Sequence, residues 1–483
     1  MSHIKFAELM AGTALQPQQK RIADTGDEDE RRMLIYHTLG SGKTLAALAA
    51  GDRAGDAMTA VTPAAVRPQF KGEYDKYIDG GPDINVGSYN QLAQGGLAPA
   101  KTMIFDEAHR LRNPDAKQTA AAIAAAQQAK HLYLLTGSPI VNRPQDLATL
   151  TSMLTQKPLS SEQFGEQFIG RKTIYPGLFD KLRGIKPVDV PTMKNRDQFV
   201  DMMRGHVDYH APEQTGVDVN SEKVETEMSR PQEQLYRSFW NQLPFVMRWK
   251  LQRDYPMTQT EMTKLTSFLA GPRQVGLSTL PFQRGKADPM RAFDESPKLQ
   301  AAFSRLQETL KDPQARAVVA SNFIRAGLEP YAAKLKAENI PYSLFDGKLD
   351  DASRQKVVDG YNQGNTRVML LGPAGSEGLS LKGTRLMQLL DPHWNAARGE
   401  QTVGRGVRYN SHVDLPQDER NVQVQRYYSR LPTGWKSWFR KQLYGNKNKW
   451  SDESVDHYLE QMTERKQKLN AEFLAALQEA GTE

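Results

Sequence analysis

The sequence predicts an α/β protein with two parallel-sheet lobes, because the same pattern occurs twice. From about Met33 to Thr155 the short apolar runs MLIY, TAVT, TMIF and LYLL end in polar loops. Helical stretches lie between them, such as the alanine-rich run from Ala116 to Lys130. From Arg316 to Arg430 the runs AVVAS, YSLFDG, RVMLLG, LMQLLD and VQVQRYY alternate with helical segments in the same way. Uninterrupted apolar runs are how strands buried on both faces read, and intervening helices supply the crossovers of a parallel sheet. Two such blocks suggest two lobes with a cleft between them, although the blocks are too dissimilar to be a repeat.

With 483 residues the chain has room for two to four domains. The boundaries expected are 1–155 for the first lobe, 156–295 for a mostly helical insertion and linker, 296–432 for the second lobe, and 433–483 for a C-terminal segment. The 156–295 stretch is rich in Met, Gln and aromatic residues and contains LYRSFWNQLPFVMRWKLQR. The C-terminal segment interleaves aromatic with basic residues in WKSWFRKQLYGNKNKW and then reads as an amphipathic helix. The apolar stripe of that helix is Val455, Leu459, Met462, the Lys466 stem, Leu469, Phe473 and Leu477.

Composition narrows the function classes. The net charge of +7 arises from 63 basic and 56 acidic residues, so an acidic partner such as nucleic acid requires the basic residues to be locally clustered. Having no Cys excludes disulfides, Cys-ligated zinc and iron–sulfur clusters, and agrees with a reducing compartment. The N-terminus lacks a signal-like apolar core and no stretch approaches membrane-span length, so an intracellular, cytoplasmic protein is expected, in the host cytoplasm if phage-encoded. The histidines show no H-E-x-x-H ligand spacing.

Three runs carry chemistry. MLIYHTLGSGKTLAALAA reads as strand, glycine loop and helix. Gly40, Ser41 and Gly42 would curl the backbone so that its N–H groups face phosphate, with the helix adding its positive end. Lys43 would reach the β- and γ-phosphates and Thr44 would ligate Mg²⁺. His37 stands where the G-x-x-x-x-G-K-[ST] pattern has its first glycine, a departure expected to leave activity intact. KTMIFDEAH is a strand ending in two acids: Asp106 suits Mg²⁺ through water, and Glu107 suits orienting or deprotonating the attacking water. Alone, this pair would read equally well as a solvated strand end; the upstream glycine loop decides for the catalytic reading. His109 could relay between sites or cap the turn. Finally, GEQTVGRGVR sets Gln401, Arg405 and Arg408 at i, i+4 and i+7, on one face of a helix.

These runs and their neighbours resemble superfamily 2 helicases and translocases. LQPQQ is similar to that superfamily's adenine-reading element, with Gln19 at the glutamine position. VTPAAVRPQF, LLTGSPIVNRP, PYSLFDGKLDDASRQ, GSEGLSL, LLDPHWN and QTVGRGVR continue the series in the expected order, covering most of the chain from Leu15 to Arg430. DEAHRLRNP, GSYNQL, ESPKL and the tail SVDHYLEQMTERKQKLNAEFLAAL resemble the Swi/Snf-like branch. Within it they resemble the ATPases of large DNA viruses and phages related to poxvirus nucleoside triphosphate phosphohydrolase I.

The resemblance implies two RecA-like lobes with a helical insertion and a C-terminal brace helix, and ATP with Mg²⁺ as cofactors. Lys43, Thr44, Asp106 and Glu107 would form the hydrolysis site, and Thr136 to Pro139 would couple nucleotide state to the lobes. Gly378 to Leu381 would contact both ATP and the nucleic-acid backbone. Gln401, Arg405 and Arg408 would close on the phosphates, one arginine as the finger. Ser88, Tyr89, Arg110, Arg112, Thr136, Arg143, Ser321, Asn322, Lys348 and Trp394 are the nucleic-acid candidates, each of which reads singly as a solvated or packed residue as well. The function implied is an ATP-dependent translocase, with double-stranded DNA as the expected track. The alternatives are a strand-separating DNA or RNA helicase, and the motor subunit or ATP-switched docking module of a viral transcription or packaging complex. In the latter the C-terminal segment would hold a protein partner.

Overall fold

The computed structural model describes residues 15–482 except 39–40, 176–187, 212–216, 245–246, 249, 251–258, 348, 374–378, 380, 393–398, 400–401, 405, 408–410, 413–414 and 433–453. The chain divides into two compact units. The first comprises the residues up to Ile174, Asp189–Glu213 and Lys466–Glu483; the second comprises Tyr175–Val188 and Gln214–Arg465.

In the first unit, β1 (Arg31–His37), β2 (Met58–Thr62), β3 (Ile84–Ser88), β4 (Thr102–Asp106) and β5 (His131–Thr136) follow one another with helices between. A separate two-stranded ribbon joins β6 (Ile169–Ile174) to β7 (Val188–Met193), and β8 (Val207–His210) returns to the main sheet. The six-stranded order is β3-β2-β4-β5-β1-β8, with every pair parallel. Strand alternation divides the apolar residues between two cores. Met33, Ile35, Ala60, Ile104, Tyr133 and Leu135 pack on one face with Ala46, Ala47 and Leu48 of the helix Lys43–Ala54. Leu34, Val61, Met103, Phe105, Leu132 and Leu134 pack on the other. Burial on both faces is why these strands read as continuous apolar runs.

The last residues of the helix Val455–Gly481 complete the second of these cores. Phe473 joins Phe164, Phe168 and Phe199, with ring centroids 5.1 to 6.0 Å apart in tilted and edge-on pairs. Leu477 is fully buried, and Arg196 pairs with Glu479 at 2.5 Å.

In the second unit, β9 (Asp218–Glu227), β10 (Arg316–Ala320), β11 (Tyr342–Phe345), β12 (Val368–Leu371), β13 (Thr384–Leu389) and β14 (Asn421–Arg430) form a parallel six-stranded sheet in the order β11-β12-β10-β13-β14-β9. Alternation again splits the core: Ala317, Val319, Val368 and Leu370 face one way, Val318, Ala320, Met369 and Leu371 the other. The start of the helix Val455–Gly481 is fixed here by a buried ion pair, Lys298 Nζ to Asp456 Oδ2 at 2.7 Å, with Asp456 also accepting the Ser429 N–H.

The stretch expected to be mostly helical also supplies β6 to β9. Strand β9 has the sequence DVNSEKVETE and is largely exposed, so it lacks the apolar signature of a buried strand; full pairing with β14 holds it. Strand β8 is only four residues long. No helix among the described residues is long and apolar enough to cross a membrane.

Candidate active site

The C-terminal ends of the first unit's parallel strands collect most of the polar residues that the sequence singles out. This edge is where open parallel α/β sheets bind ligands. The helix Lys43–Ala54 starts directly after Gly42, whose φ of 75° lies in the left-handed region open to glycine. A Cβ on Gly42 would lie 2.1 Å from Nε2 of Gln19, so any side chain there would be strained by the turn and would push the Gln19 amide aside. Gln19 also accepts the Gln16 N–H at 3.0 Å, which caps its own helix, Pro17–Asp24. Ser41 Oγ donates to the Thr38 carbonyl at 2.9 Å. Lys43 Nζ donates to the carbonyls of His37 at 2.9 Å and Thr38 at 2.8 Å, so its charge is held over the mouth of the turn. Thr44 is the second residue of the helix and half-buried. Gly40 lies outside the described residues.

Asp106 is the last residue of β4, which β5 separates from β1. Burial, reinforced by the neighbouring Glu107 charge, pushes the Asp106 carboxyl up to about 7, against the pull of Lys43. A carboxylate in this state is short of positive charge. A hard divalent cation with oxygen preference would suit such a carboxylate, and the Thr44 hydroxyl would be the residue to supply a further oxygen. Glu107 has φ 52°, uncommon for a residue with a side chain, and opens the short turn Ala108–Arg112. His109 Nδ1 lies 3.1 Å from Thr136 Oγ1 and 3.4 Å from Glu107 Oε2. Thr136 Oγ1 in turn accepts the Ser138 N–H at 3.1 Å. His109 therefore ties the acid pair to the TGSP block at the end of β5.

Other candidates fall beneath this surface. The Tyr89 hydroxyl donates to the Asp106 carbonyl at 2.7 Å, and the Tyr89 side chain is buried. The Ser88 hydroxyl caps the helix Tyr89–Ala93 by accepting the Gln91 N–H at 3.2 Å. Thr136 is fully buried. For Tyr89 and Thr136 the side chain supports the site from below and is not presented to a ligand. Arg112 is half-buried, its Nη1 3.5 Å from the His109 carbonyl.

In the second unit Asn322 belongs to a network that sequence reasoning did not single out. Asp391, fully buried in the side chain, accepts hydrogen bonds from Ser321 Oγ at 2.7 Å, Asn322 N at 2.9 Å, Asn322 Nδ2 at 2.7 Å and Arg273 Nη2 at 3.1 Å. Arg273 also donates to the Pro392 carbonyl at 2.7 Å and lies over the Phe323 ring. Within the arginine-bearing run, Thr402, Val403 and Gly406 are buried, and a Cβ on Gly406 would meet Met387 Sδ at 2.7 Å. Lys348, Gly378, Trp394, Gln401, Arg405 and Arg408 lie outside the described residues.

Also unforeseen is a cluster behind the glycine turn. His37 Nε2 lies 2.6 Å from Asp208 Oδ1, and Arg21 grips both oxygens of Asp208 at 2.5 and 2.9 Å. No local motif marks these residues, since Asp208 is 171 positions from His37 and 187 from Arg21.

A parallel sheet with a lysine-bearing glycine turn after one strand and an acid pair ending another defines a P-loop nucleotidase. Comparison with known proteins makes this specific. The SNF2-related domain matches residues 81–267 and the helicase conserved C-terminal domain matches residues 301–410, between them more than half of the chain. The chain belongs to the SNF2-related, helicase-like ATPases. Asp106 and Glu107 fall inside the first match, whereas the glycine turn precedes it.

A protein of Acanthamoeba polyphaga mimivirus, provisionally named an ATP-dependent RNA helicase, is 26% identical over 464 residues, covering 92% of each chain. Nucleoside triphosphatase I of Amsacta moorei entomopoxvirus is 43% identical over 63 residues, 13% of this chain and 10% of that one. The SWI2/SNF2 ATPase core of Sulfolobus solfataricus, solved in complex with double-stranded DNA, aligns over 99% of this chain and 98% of its own at 16% identity, with a TM-score of 0.35.

Proposed function

We propose that this ATPase uses Mg-ATP hydrolysis to translocate along nucleic acid, with duplex DNA as the track. The observation that carries the hydrolytic reading is the half-buried Asp106 at one sheet edge, its carboxyl pushed up to about 7, together with Glu107 and the Lys43 turn. In this reading Lys43 moves from the loop carbonyls to the transferred phosphates, Thr44 and Asp106 hold Mg²⁺, and Glu107 orients the attacking water. Bound Mg²⁺ supplies charge neutralisation at the phosphoryl oxygens. His109, bonded to Thr136, passes the state of the acid pair to the TGSP block. Gln19 positions the turn through Gly42. In the second lobe, Gln401, Arg405 and Arg408 act on the phosphates and Gly378 on both ligands. Ser88, Arg112, Asn322, Lys348 and Trp394 contact or support the nucleic-acid path.

Duplex DNA is favoured by the SNF2-related match and by DEAHRLRNP and GSEGLSL. The RNA-helicase name of the mimivirus relative makes RNA the competing track. The test is the ATPase rate measured in parallel with no nucleic acid, single-stranded DNA, duplex DNA and RNA. Strongest stimulation by duplex DNA, displacement of a roadblock with little unwinding, and a steep loss of affinity with salt are expected. Preferential stimulation by RNA, or efficient unwinding of a fork, moves the assignment to a strand-separating helicase. A rate indifferent to every nucleic acid, with turnover intact, favours an ATP-switched docking module.

A further inference from the structure

We infer that His37 is a positioning residue for the phosphate turn, locked by Asp208 and Arg21, and that this lock sets the affinity of the turn for nucleotide. The inference rests on the reading of this turn as the ATP site.

His37 ends β1, and its side chain is fully buried. Nε2 is bonded to Asp208, whereas Nδ1 is buried with no hydrogen-bond partner among the described residues. A doubly protonated ring would bury an N–H without an acceptor, so the ring is neutral, with its proton on Nε2 donated to the carboxylate. Burial, which lowers the His37 pKa against the opposing pull of Asp208, agrees with that state. Asp208 is held from its other side by the bidentate Arg21 fork, a charge-assisted geometry that fixes the carboxylate plane. Burial, the largest influence, would raise the Asp208 pKa, but the bonds from Arg21 and His37 together hold it below the ordinary value.

The consequence for the turn runs through the backbone. The carbonyl of this same His37 accepts the Lys43 ammonium at 2.9 Å. The ring is pinned to β8, so the peptide that receives Lys43 is pinned with it. The helix Pro17–Asp24, which carries Arg21, also carries Gln19, and the Gln19 amide fills the space over Gly42. One helix therefore braces the turn at both ends: through Asp208 and His37 before it, and through Gln19 at Gly42 within it. Glycine at position 37 would complete the phosphate-loop pattern, yet it would remove the ring, leave Asp208 to Arg21 alone and loosen the end of β1. The local sequence pattern and the structure thus make opposite predictions for one substitution.

The experiment compares full-length wild type with His37→Gly, His37→Gln and Arg21→Ala. It measures steady-state ATP hydrolysis, equilibrium binding of a fluorescent ATP analogue, and thermal melting. His37→Gly is expected to raise KM and the analogue Kd roughly tenfold, the scale of losing one charge-assisted hydrogen bond, with kcat within about twofold. His37→Gln keeps an N–H able to reach Asp208 and should recover most of the affinity. Arg21→Ala, on a half-exposed side chain, should raise KM by about threefold with melting nearly unchanged.

A folded His37→Gly with KM at or below the wild-type value overturns the inference. So does His37→Gln as defective as His37→Gly at unchanged melting. Should His37→Gly fail to fold, Arg21→Ala decides: a wild-type KM there overturns the lock, and a raised KM supports it. Hydrolysis that survives Lys43→Ala would instead overturn the ATP-site reading itself, whereas Lys43-dependent hydrolysis indifferent to His37→Gly would remove only the lock.

Discussion

The two sheets share size, all-parallel pairing and two-faced cores, yet they treat an aspartate near the end of a strand in opposite ways: Asp391 is fully buried and Asp106 half-buried. Asp391 in the second unit is saturated, with two donors from Asn322, one from Ser321 and one from Arg273. Asp106 in the first unit is flanked by a second acid, and burial carries its carboxyl to about 7. A saturated carboxylate has nothing left to offer a ligand and acts as a hub that shapes the backbone around it. An undersupplied one waits for a cation. On the proposed reading, the difference assigns the ionic chemistry to the first sheet, while the Asp391 hub fixes the backbone at the end of β13 in the second.

The sharpest way to break this contrast is at Glu107. Glu107→Gln should bind nucleotide normally and hydrolyse it at least about a hundredfold more slowly, the cost of losing an acid–base group. Single-turnover hydrolysis beside nucleotide titration checks it. Weakened binding with preserved catalytic rate would make Glu107 a cation or solvent ligand and shift the chemistry elsewhere.

The part of the contrast that could be read from sequence was local. MLIY, TMIF, LYLL and RVMLLG announce buried parallel strands because both faces are apolar, and GSGKT and DEAH announce chemistry because their residues are neighbours in the chain. The hidden part was non-local or polar. Strand β9 is charged and owes its place to ten residues of pairing with β14. The His37–Asp208–Arg21 lock and the Arg273–Asp391 hub join residues more than a hundred positions apart, and each reads alone as an ordinary polar residue. His37 was legible only as a departure from a pattern, without the partner that explains it.

The next largest effect tests the hub. Asp391→Ala leaves the Arg273 guanidinium buried without its carboxylate, a loss on the order of 3–5 kcal/mol. For a unit of this size that is a melting drop of roughly 6–15 °C in the second unit's transition. Basal, nucleic-acid-independent hydrolysis should fall far less than stimulated hydrolysis. Calorimetry with both ATPase measurements decides it, and unchanged melting would show that the hub holds nothing.

Asp106 should respond in the other direction. Its folded pKa is raised above the unfolded value of 3.8, so the folded state binds the extra proton between 3.8 and about 7. Stability from this group is therefore lost as pH rises through that window and stays lost above it. Asp106→Asn removes the charge and should raise the melting temperature of metal-free protein at pH 8 by roughly 5 °C, an order-of-magnitude figure. The gain should shrink steadily toward pH 5, and Mg-ATP should narrow it by stabilising wild type alone. An Asp106→Asn protein less stable than wild type at pH 8 would mean that the carboxylate is well supplied with partners, and the contrast with Asp391 would fail.

The smallest expected effect lies in the arginine-bearing run of the second unit. Gly406 is buried against β13, where an added Cβ would lie 2.7 Å from Met387 Sδ and 3.4 Å from Thr384 Cγ2. The first neighbour is the flexible part of a Met side chain, which can shift; the second is an ordinary contact. Gly406→Ala should therefore cost only about 1 kcal/mol, the low end of overpacking, or roughly 2–4 °C in melting. The displaced backbone belongs to the run that carries Arg405 and Arg408 in sequence, so stimulated hydrolysis should fall by more than basal hydrolysis even at this small cost in stability. A variant with unaltered melting and unaltered stimulation would show that the run is not seated on β13, and the fixing of backbone at the end of β13 would not extend to the arginine block.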